Sequence, residues 1–253
     1  MPFLRNLFKN DKKVIFIGLP GSGKSAFMIA LYYDIINNYR EYGISDVSVG
    51  GLFNLKKILS EIKKGVPPKK TIPGEINQFG LRLNVNGKHM RLFLEDWSGE
   101  HIKDFTKLNI TDKELLKNPN NRKFINHLRE YDVFLIFYDP TQKNKALLEQ
   151  SRGLNRVMKI IRDDLRRKSA SVAVVIPKCD VHPKILDNPE GWLTKIDLLF
   201  PFLKHNFSNV KAFGISAYGE SKQIGKNAWV PAHDEFHSIG IKDVFRWIKD
   251  ALS

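Results

Sequence analysis

Apolar positions along this chain gather into short runs separated by longer stretches of helical spacing. Val14 to Gly18 is one such run, closing in glycine, and Ser25 to Tyr39 follows with Phe27, Ile29, Ala30, Leu31, Ile35 and Ile36 at helix-like intervals. This pattern predicts a strand, a tight turn and a helix. Phe79 to Val85 behaves differently: Leu81, Leu83 and Val85 alternate with polar neighbours, and Asn86-Gly87 then supplies a hairpin turn before Arg91 to Asp96. That pair is expected to be antiparallel.

Val133 to Tyr138, Val172 to Ile176 and Val210 to Ile215 are β-branched or aromatic-rich runs, each separated from the next by a helical stretch. The alternation predicts parallel strands buried by helices on both faces. Leu147 to Arg167 reads as a long helix, Trp192 to Phe207 as another that Pro201 bends or divides, and Ile241 to Leu252 as an amphipathic helix with Val244, Trp247, Ile248 and Leu252 on one side. Tyr42 to Asn77, His101 to Lys123 and Tyr218 to Gly240 fit neither pattern well and are expected to be mobile loops or insertions.

Length and composition narrow the picture. At 253 residues, with 42% hydrophobic and 11% aromatic residues, the chain fits one sizeable α/β domain and not a disordered segment. The expected division is a short N-terminal segment, 1–12, followed by a single domain, 13–253. The lone cysteine, Cys179, excludes an intramolecular disulfide, and neither a secretory leader nor a bilayer-length apolar run is visible. A cytoplasmic protein is the simplest expectation. The net charge of +14 favours anionic partners, yet the lysines are dispersed, as at Lys63, Lys64, Lys69 and Lys70 and from Arg162 to Lys168. A solvated basic face and a functional anionic contact both fit. Tight nucleic-acid binding is not expected, because no aromatic-rich strand motif or zinc pattern accompanies the charge.

Candidate chemistry begins at Gly18-Leu19-Pro20-Gly21-Ser22-Gly23-Lys24-Ser25, which matches GxxxxGK[ST] between the first predicted strand and helix. Glycine at Gly18, Gly21 and Gly23 lets main-chain amides, with those of Ser22 and Ala26, wrap around phosphates, backed by the positive end of the helix. Lys24 is expected to reach the β and γ phosphates and Ser25 to ligate Mg²⁺. An ordinary glycine-rich turn would not need all four fixed positions. Downstream, Asp96-Trp97-Ser98-Gly99 places a carboxylate at a strand end, where it can orient magnesium, and Gly99 where its N–H can bond a γ phosphate.

Base choice is written later in the chain. Asp180, in Pro177-Lys178-Cys179-Asp180, follows a strand, and an aspartate there can accept from guanine N1–H and the N2 amino group, a donor pair that adenine lacks. Lys178 would lie along base and ribose, and a backbone N–H of Ser216-Ala217 could bond guanine O6.

Taken in order, GLPGSGKS, DWSGE, PKCD and ISA resemble the Ras-like branch of the TRAFAC class of P-loop GTPases over Val14 to Ala217. The resemblance implies a P-loop three-layer α/β sandwich with a mostly parallel six-strand sheet and one antiparallel edge strand. It implies GTP/GDP and Mg²⁺ as ligands, and a conformational switch with protein regulators or effectors. The metal set would be Ser25, Asp96 and a threonine assigned to Thr71, with Ser45 or Ser48 as alternatives. Movement of the segments around Thr71 and from Trp97 to His101 would follow loss of the γ phosphate.

Three departures from the family pattern modify these expectations. Pro177 stands where relatives usually carry Asn or Thr, so the side-chain tie from this motif to the P-loop should be absent and base selectivity looser. Glu100 replaces the water-positioning Gln, leaving Glu100, His101 or a partner's arginine to serve beside Lys24 in catalysis, and turnover is expected to be slow. Pro20 should stiffen the P-loop.

Competing readings remain open. An ATP-using P-loop kinase or ATPase is disfavoured by the hairpin and by Glu95 preceding Asp96, and a nucleotide-binding scaffold with little hydrolysis fits Glu100 and Pro177. Phe3, Leu4, Leu7 and Phe8 interleave with Arg5, Lys9, Lys12 and Lys13, a basic amphipathic start that could lie on an anionic membrane, enter a partner groove or pack on its own domain. A homodimer is compatible with all of this. The histidines, including His127, show no metal-ligand spacing.

Overall fold

The computed structural model describes residues 11–42, 49–50, 57, 59–62, 64, 66, 76–85, 88–97, 99–107, 111–142, 144–163, 170–196, 199–225, 228–233 and 237–252. Strand β1 (Asp11–Ile17) leads through the glycine-rich turn into helix α1 (Lys24–Asn38). Strands β2 (Val49–Gly50), β3 (Ile76–Val85) and β4 (Lys88–Trp97) follow. Helices α2 (Glu100–Phe105), α3 (Asp112–Leu115) and α4 (Pro119–His127) then lead to β5 (Val133–Phe137). The remainder runs α5 (Asn144–Asp163), β6 (Ser171–Ile176), α6 (Lys184–Asp187), α7 (Pro189–Ile196), α8 (Leu199–Asn206) and β7 (Asn209–Gly214). A small hairpin, β8 (Ser221–Gly225) and β9 (Ala228–Pro231), precedes α9 (Ile241–Leu252).

Among the described residues the main sheet has seven strands in the order β2-β3-β4-β1-β5-β6-β7. Strands β4, β1, β5, β6 and β7 are parallel, and β3 joins β4 antiparallel, as the Asn-Gly turn predicts. The expected six strands are all present. The two-residue β2 lies outside β3, pairing Val49 with Leu81, and so takes the edge that the sequence assigns to β3.

Period-two alternation within each buried strand divides the core between the two faces of the sheet. Val14 and Phe16 of β1, Leu135 and Phe137 of β5, and Ala173 and Val175 of β6 pack with α1 and α9. Ile15 and Ile17, Phe134 and Ile136, and Val172, Val174 and Ile176 pack on the other face with α2, α4, α5, α7 and α8. Phe16, Phe27 and Phe137 form a triangle of rings with centroids 5.4 to 5.5 Å apart, and Phe137 backs the start of the glycine-rich turn, where a Cβ on Gly18 would stand 2.9 Å from the Phe137 Cβ.

The interval His101 to Lys123, expected to be a mobile loop or insertion, holds α2, α3 and the start of α4 among its described residues. Thr111 and Glu114 form a capping box, Asn118 caps α4, and Pro119 occupies that helix's first turn, where its missing N–H costs nothing. These helices are too short for apolar periodicity to reveal them. Similarly, Tyr218 to Gly240 contains the β8–β9 hairpin. Pro201 lies in the first turn of α8, so the division expected at that proline falls before it, between α7 and α8.

Residues 1–10 lie outside the described residues, and with them most of the basic N-terminal segment. Lys12 and Lys13 belong to β1 instead. Lys13 Nζ bonds Glu130 at 2.5 Å, its backbone N–H donates to Asp132 at 3.0 Å, and Lys12 lies 3.7 Å from Asp132. No helix among the described residues is long and apolar enough to cross a membrane.

Candidate nucleotide site

Every strand-end motif emerges at the same edge of the parallel sheet. Phe16 pairs with Asp96, Ile17 with Ile136, Phe137 with Val175, and Ile176 with Gly214, so the segments that follow these strands gather in one crevice. The chain builds β4 on one side of β1 and β5 on the other, and this change of direction is where an open α/β sheet leaves room for a ligand.

The glycine-rich turn enters α1 with Gly21 at φ 78° and Gly23 at φ 88°, left-handed conformations that carry successive amides into the crevice. A Cβ on Gly23 would also meet the Pro177 ring at 3.0 Å. Lys24 is buried, at 6% exposure, and its Nζ donates to the carbonyls of Gly18 at 3.0 Å and Leu19 at 3.2 Å. Burial lowers the pKa of this ammonium, and the nearby Asp96 carboxylate opposes that shift. Ser22 is buried as well, and Ala26 sits in the first turn of α1 against the core.

Ser25 Oγ donates to Asp96 Oδ2 at 2.5 Å, joining the glycine-rich turn to the end of β4. A hydroxyl and a fully buried carboxylate offer the hard oxygen donors that Mg²⁺ prefers, and two protein ligands suffice for an ion that retains several waters. The donor set fits magnesium. Gly99, at the start of α2, lies so close to the turn that a Cβ there would stand 2.3 Å from Pro20 N, 2.4 Å from Leu19 C and 2.7 Å from Gly18 O. Glu100 is exposed, with its carboxylate 3.4 Å from Lys103 Nζ. His101 belongs to α2, although its side chain lies outside the described residues, as do Thr71, Ser45 and Ser48.

Trp97 is a core residue, 6% exposed. Its ring lies 5.3 Å from that of Phe124 and 4.8 Å from that of His127, and its Nε1 faces Glu95 Oε2 at 3.4 Å and Tyr131 Oη at 3.3 Å. Tyr131 Oη donates to the same Glu95 oxygen, which His127 Nε2 also approaches at 3.2 Å. Periodicity does not reveal this buried polar cluster on the side of β4 opposite Asp96, because Glu95 occupies a position that alternation would fill with an apolar residue. Burial, and then Glu95, raise the Tyr131 pKa.

The loop after β6 is organised by Lys178, which has φ 60°, a left-handed conformation uncommon outside glycine. Its Nζ bonds Asp139 Oδ2 at 2.7 Å and Gly21 O at 3.3 Å. The tie to the P-loop that Pro177 should have removed is therefore present: Lys178 makes it through Gly21, and the proline ring packs against Gly23. Asp139 is absent from the sequence reading. It is fully buried after β5, and its oxygens also accept from Thr141 N at 2.9 Å, Thr141 Oγ1 at 2.8 Å and Gln142 Nε2 at 2.9 Å. An aspartate and proline closing an apolar strand, followed by Thr141, is the turn signal that could have identified it.

Asp180 and Ser216 meet, with Ser216 Oγ 2.8 Å from Asp180 Oδ1 and 2.7 Å from Gly219 O. Ala217 follows, partly buried against the core cluster to which α1 and α9 belong. Cys179 is a buried filler whose Sγ donates to Ile176 O at 3.1 Å, and burial pushes its thiol up to about 12. Since the unfolded thiol ionises near 9.0, its contribution to stability is whole below that pH and declines as pH rises towards 12. Urea midpoints are expected to fall above about pH 9, with buried Tyr131 and Tyr218 acting in the same direction, and Cys179→Ala should delay the onset. An identical onset in both proteins would refute the assignment to the thiol.

No curated protein matches this chain. The family model for Double-GTPase 1 matches residues 15–229, a span that runs from β1 to β9 and takes in the glycine-rich turn, Asp96, Lys178, Asp180 and Ser216. A match over well more than half of the chain, on a fold whose strand ends converge as a P-loop site requires, places this protein in the Double-GTPase 1 family.

Proposed function

We propose that this protein binds GTP with Mg²⁺ and hydrolyses it slowly, as a Ras-like switch whose nucleotide state is read by protein partners. The observation that carries the proposal is the Ser25–Asp96 hydrogen bond, which brings the P-loop hydroxyl and the β4 carboxylate together beside the Lys24 ammonium. In this reading Lys24 exchanges the Gly18 and Leu19 carbonyls for phosphate oxygens, while the amides from Gly21 to Ala26 surround the β phosphate. Ser25 and Asp96 hold the cation, which when bound neutralises charge developing on the phosphates.

Gly99 lies against the turn, where its N–H would sense the γ phosphate, and Glu100 or His101 orients the attacking water. The exposed Glu100 carboxylate, beside Lys103, supports slow turnover without a partner. Thr71 completes the metal set in this proposal, and the first residues of the chain provide contact with an anionic membrane at the cytoplasmic face. Pairing of two copies is also compatible with the reading.

Calorimetry of the full chain with magnesium GTP and magnesium ATP tests this directly. GTP is expected to bind at least about 10²-fold more tightly, and Asp180→Asn should remove most of that preference. Single-turnover hydrolysis of bound GTP should be measurable but slow. Equal affinities for the two nucleotides would refute the guanine reading, and binding without any hydrolysis would favour the scaffold reading to which Glu100 also points.

A further inference from the structure

A carboxylate has about four lone-pair sites, two on each oxygen. At Asp180 the Oδ2 pair is already taken from within the chain: Ser221 N donates to Oδ2 at 3.2 Å, and Ser221 Oγ donates to the same oxygen. Among the described residues, the hydrogen-bond partner at Oδ1 is Ser216 Oγ, whose single proton also has Gly219 O within reach. One oxygen of the base-reading aspartate is saturated, and the other retains capacity.

Ser221 is the first residue of β8. Its strand is held by pairing with β9, Ser221 opposite Pro231, and Ala232 N donates to Glu220 O at 2.9 Å. Ser216 is fixed separately, through paired backbone bonds with Ile239 at 3.0 and 2.8 Å. The donors on Asp180 therefore come from two built elements flanking the Gly219 turn.

Guanine presents two donors to such an aspartate, N1–H and the 2-amino group, and needs one oxygen for each. Resting on the guanine-nucleotide reading above, we infer that Ser221 is a specificity-determining residue that competes with the 2-amino group for Asp180 Oδ2. The β8–β9 hairpin thereby makes the site read the N1–H of the base and largely ignore the exocyclic amine. Hypoxanthine, which keeps N1–H and O6 but lacks that amine, is accepted nearly as well as guanine.

The test is titration calorimetry of the full chain with magnesium GTP and magnesium ITP. The wild type is expected to favour GTP by less than about threefold. Ser221→Ala, which removes the hydroxyl but leaves the backbone N–H on Asp180, frees one lone pair and should raise the GTP-to-ITP ratio about tenfold by tightening GTP alone. Ser221→Thr restores the hydroxyl and should return the ratio to the wild-type value. A wild-type preference of tenfold or more, or a ratio unmoved in Ser221→Ala with both nucleotides still bound, would overturn this inference and leave the guanine reading standing. Absence of heat with either nucleotide would overturn both.

Discussion

Lys24→Ala is expected to lower the affinity for magnesium GTP by about 10²- to 10⁴-fold without lowering the melting temperature of the nucleotide-free protein. The first part follows from losing two or more charge-assisted bonds to phosphate oxygens, each worth about 1.5 to 3 kcal/mol. The second follows from the resting environment of the ammonium. It is buried, its pKa is lowered by that burial more than the nearby Asp96 carboxylate raises it, and it donates to the two neutral carbonyls of Gly18 and Leu19. A cation held there costs the fold desolvation energy, so truncation should leave Tm unchanged or raise it. Thermal scanning and calorimetry on one preparation check both parts. A variant that still binds GTP as tightly as wild type would remove Lys24 from the site, and one that melts much earlier would make Lys24 structural.

Gly99→Ala should reduce single-turnover GTP hydrolysis at least about 10²-fold, with GDP affinity changed by less than about threefold. The added methyl would meet the main chain of Gly18, Leu19 and Pro20 at 2.3 to 2.7 Å, and backbone atoms cannot rotate out of the way. Either the turn or the start of α2 must yield. The turn is braced by Phe137 against Gly18, by Pro177 against Gly23 and by Lys178 on Gly21 O, so the start of α2 should move away. Contacts to the β phosphate would survive that movement, whereas the γ-phosphate side would lose its wall. If Gly99→Ala hydrolyses GTP normally, the close approach has no catalytic consequence.

Much of the fold is legible in the residue pattern because the parallel strands are buried on both faces and read as continuous apolar runs. Val133–Phe137 and Ser171–Ile176 are buried throughout, and Ile241–Leu252 is the predicted helix to the residue. The glycine-rich turn, Asp96, Asp180 and Ser216 stand at strand ends, where the residue pattern places them. What escapes is structure carried by tertiary partners. Helices α3 and α4 rest on caps at Thr111 and Asn118 more than on an apolar stripe. Glu95 is buried only because Tyr131, Trp97 and His127 converge on it from distant segments. Lys178 spans three elements at once, and no local motif reveals that its side chain does what Pro177 gives up.

The crevice is assembled from the ends of β1, β4, β5, β6 and β7, so its parts run from Gly18 to Ser221 along the chain. During synthesis the glycine-rich turn emerges early, while Asp180 stays without Ser216 and Ser221 until the last strand of the sheet and the hairpin beyond it have left the ribosome. A nascent chain therefore gains its ligand grip in a late step, when nearly the whole domain is present. Ligand that then bridges the two parts stabilises the folded sheet as a whole by mass action.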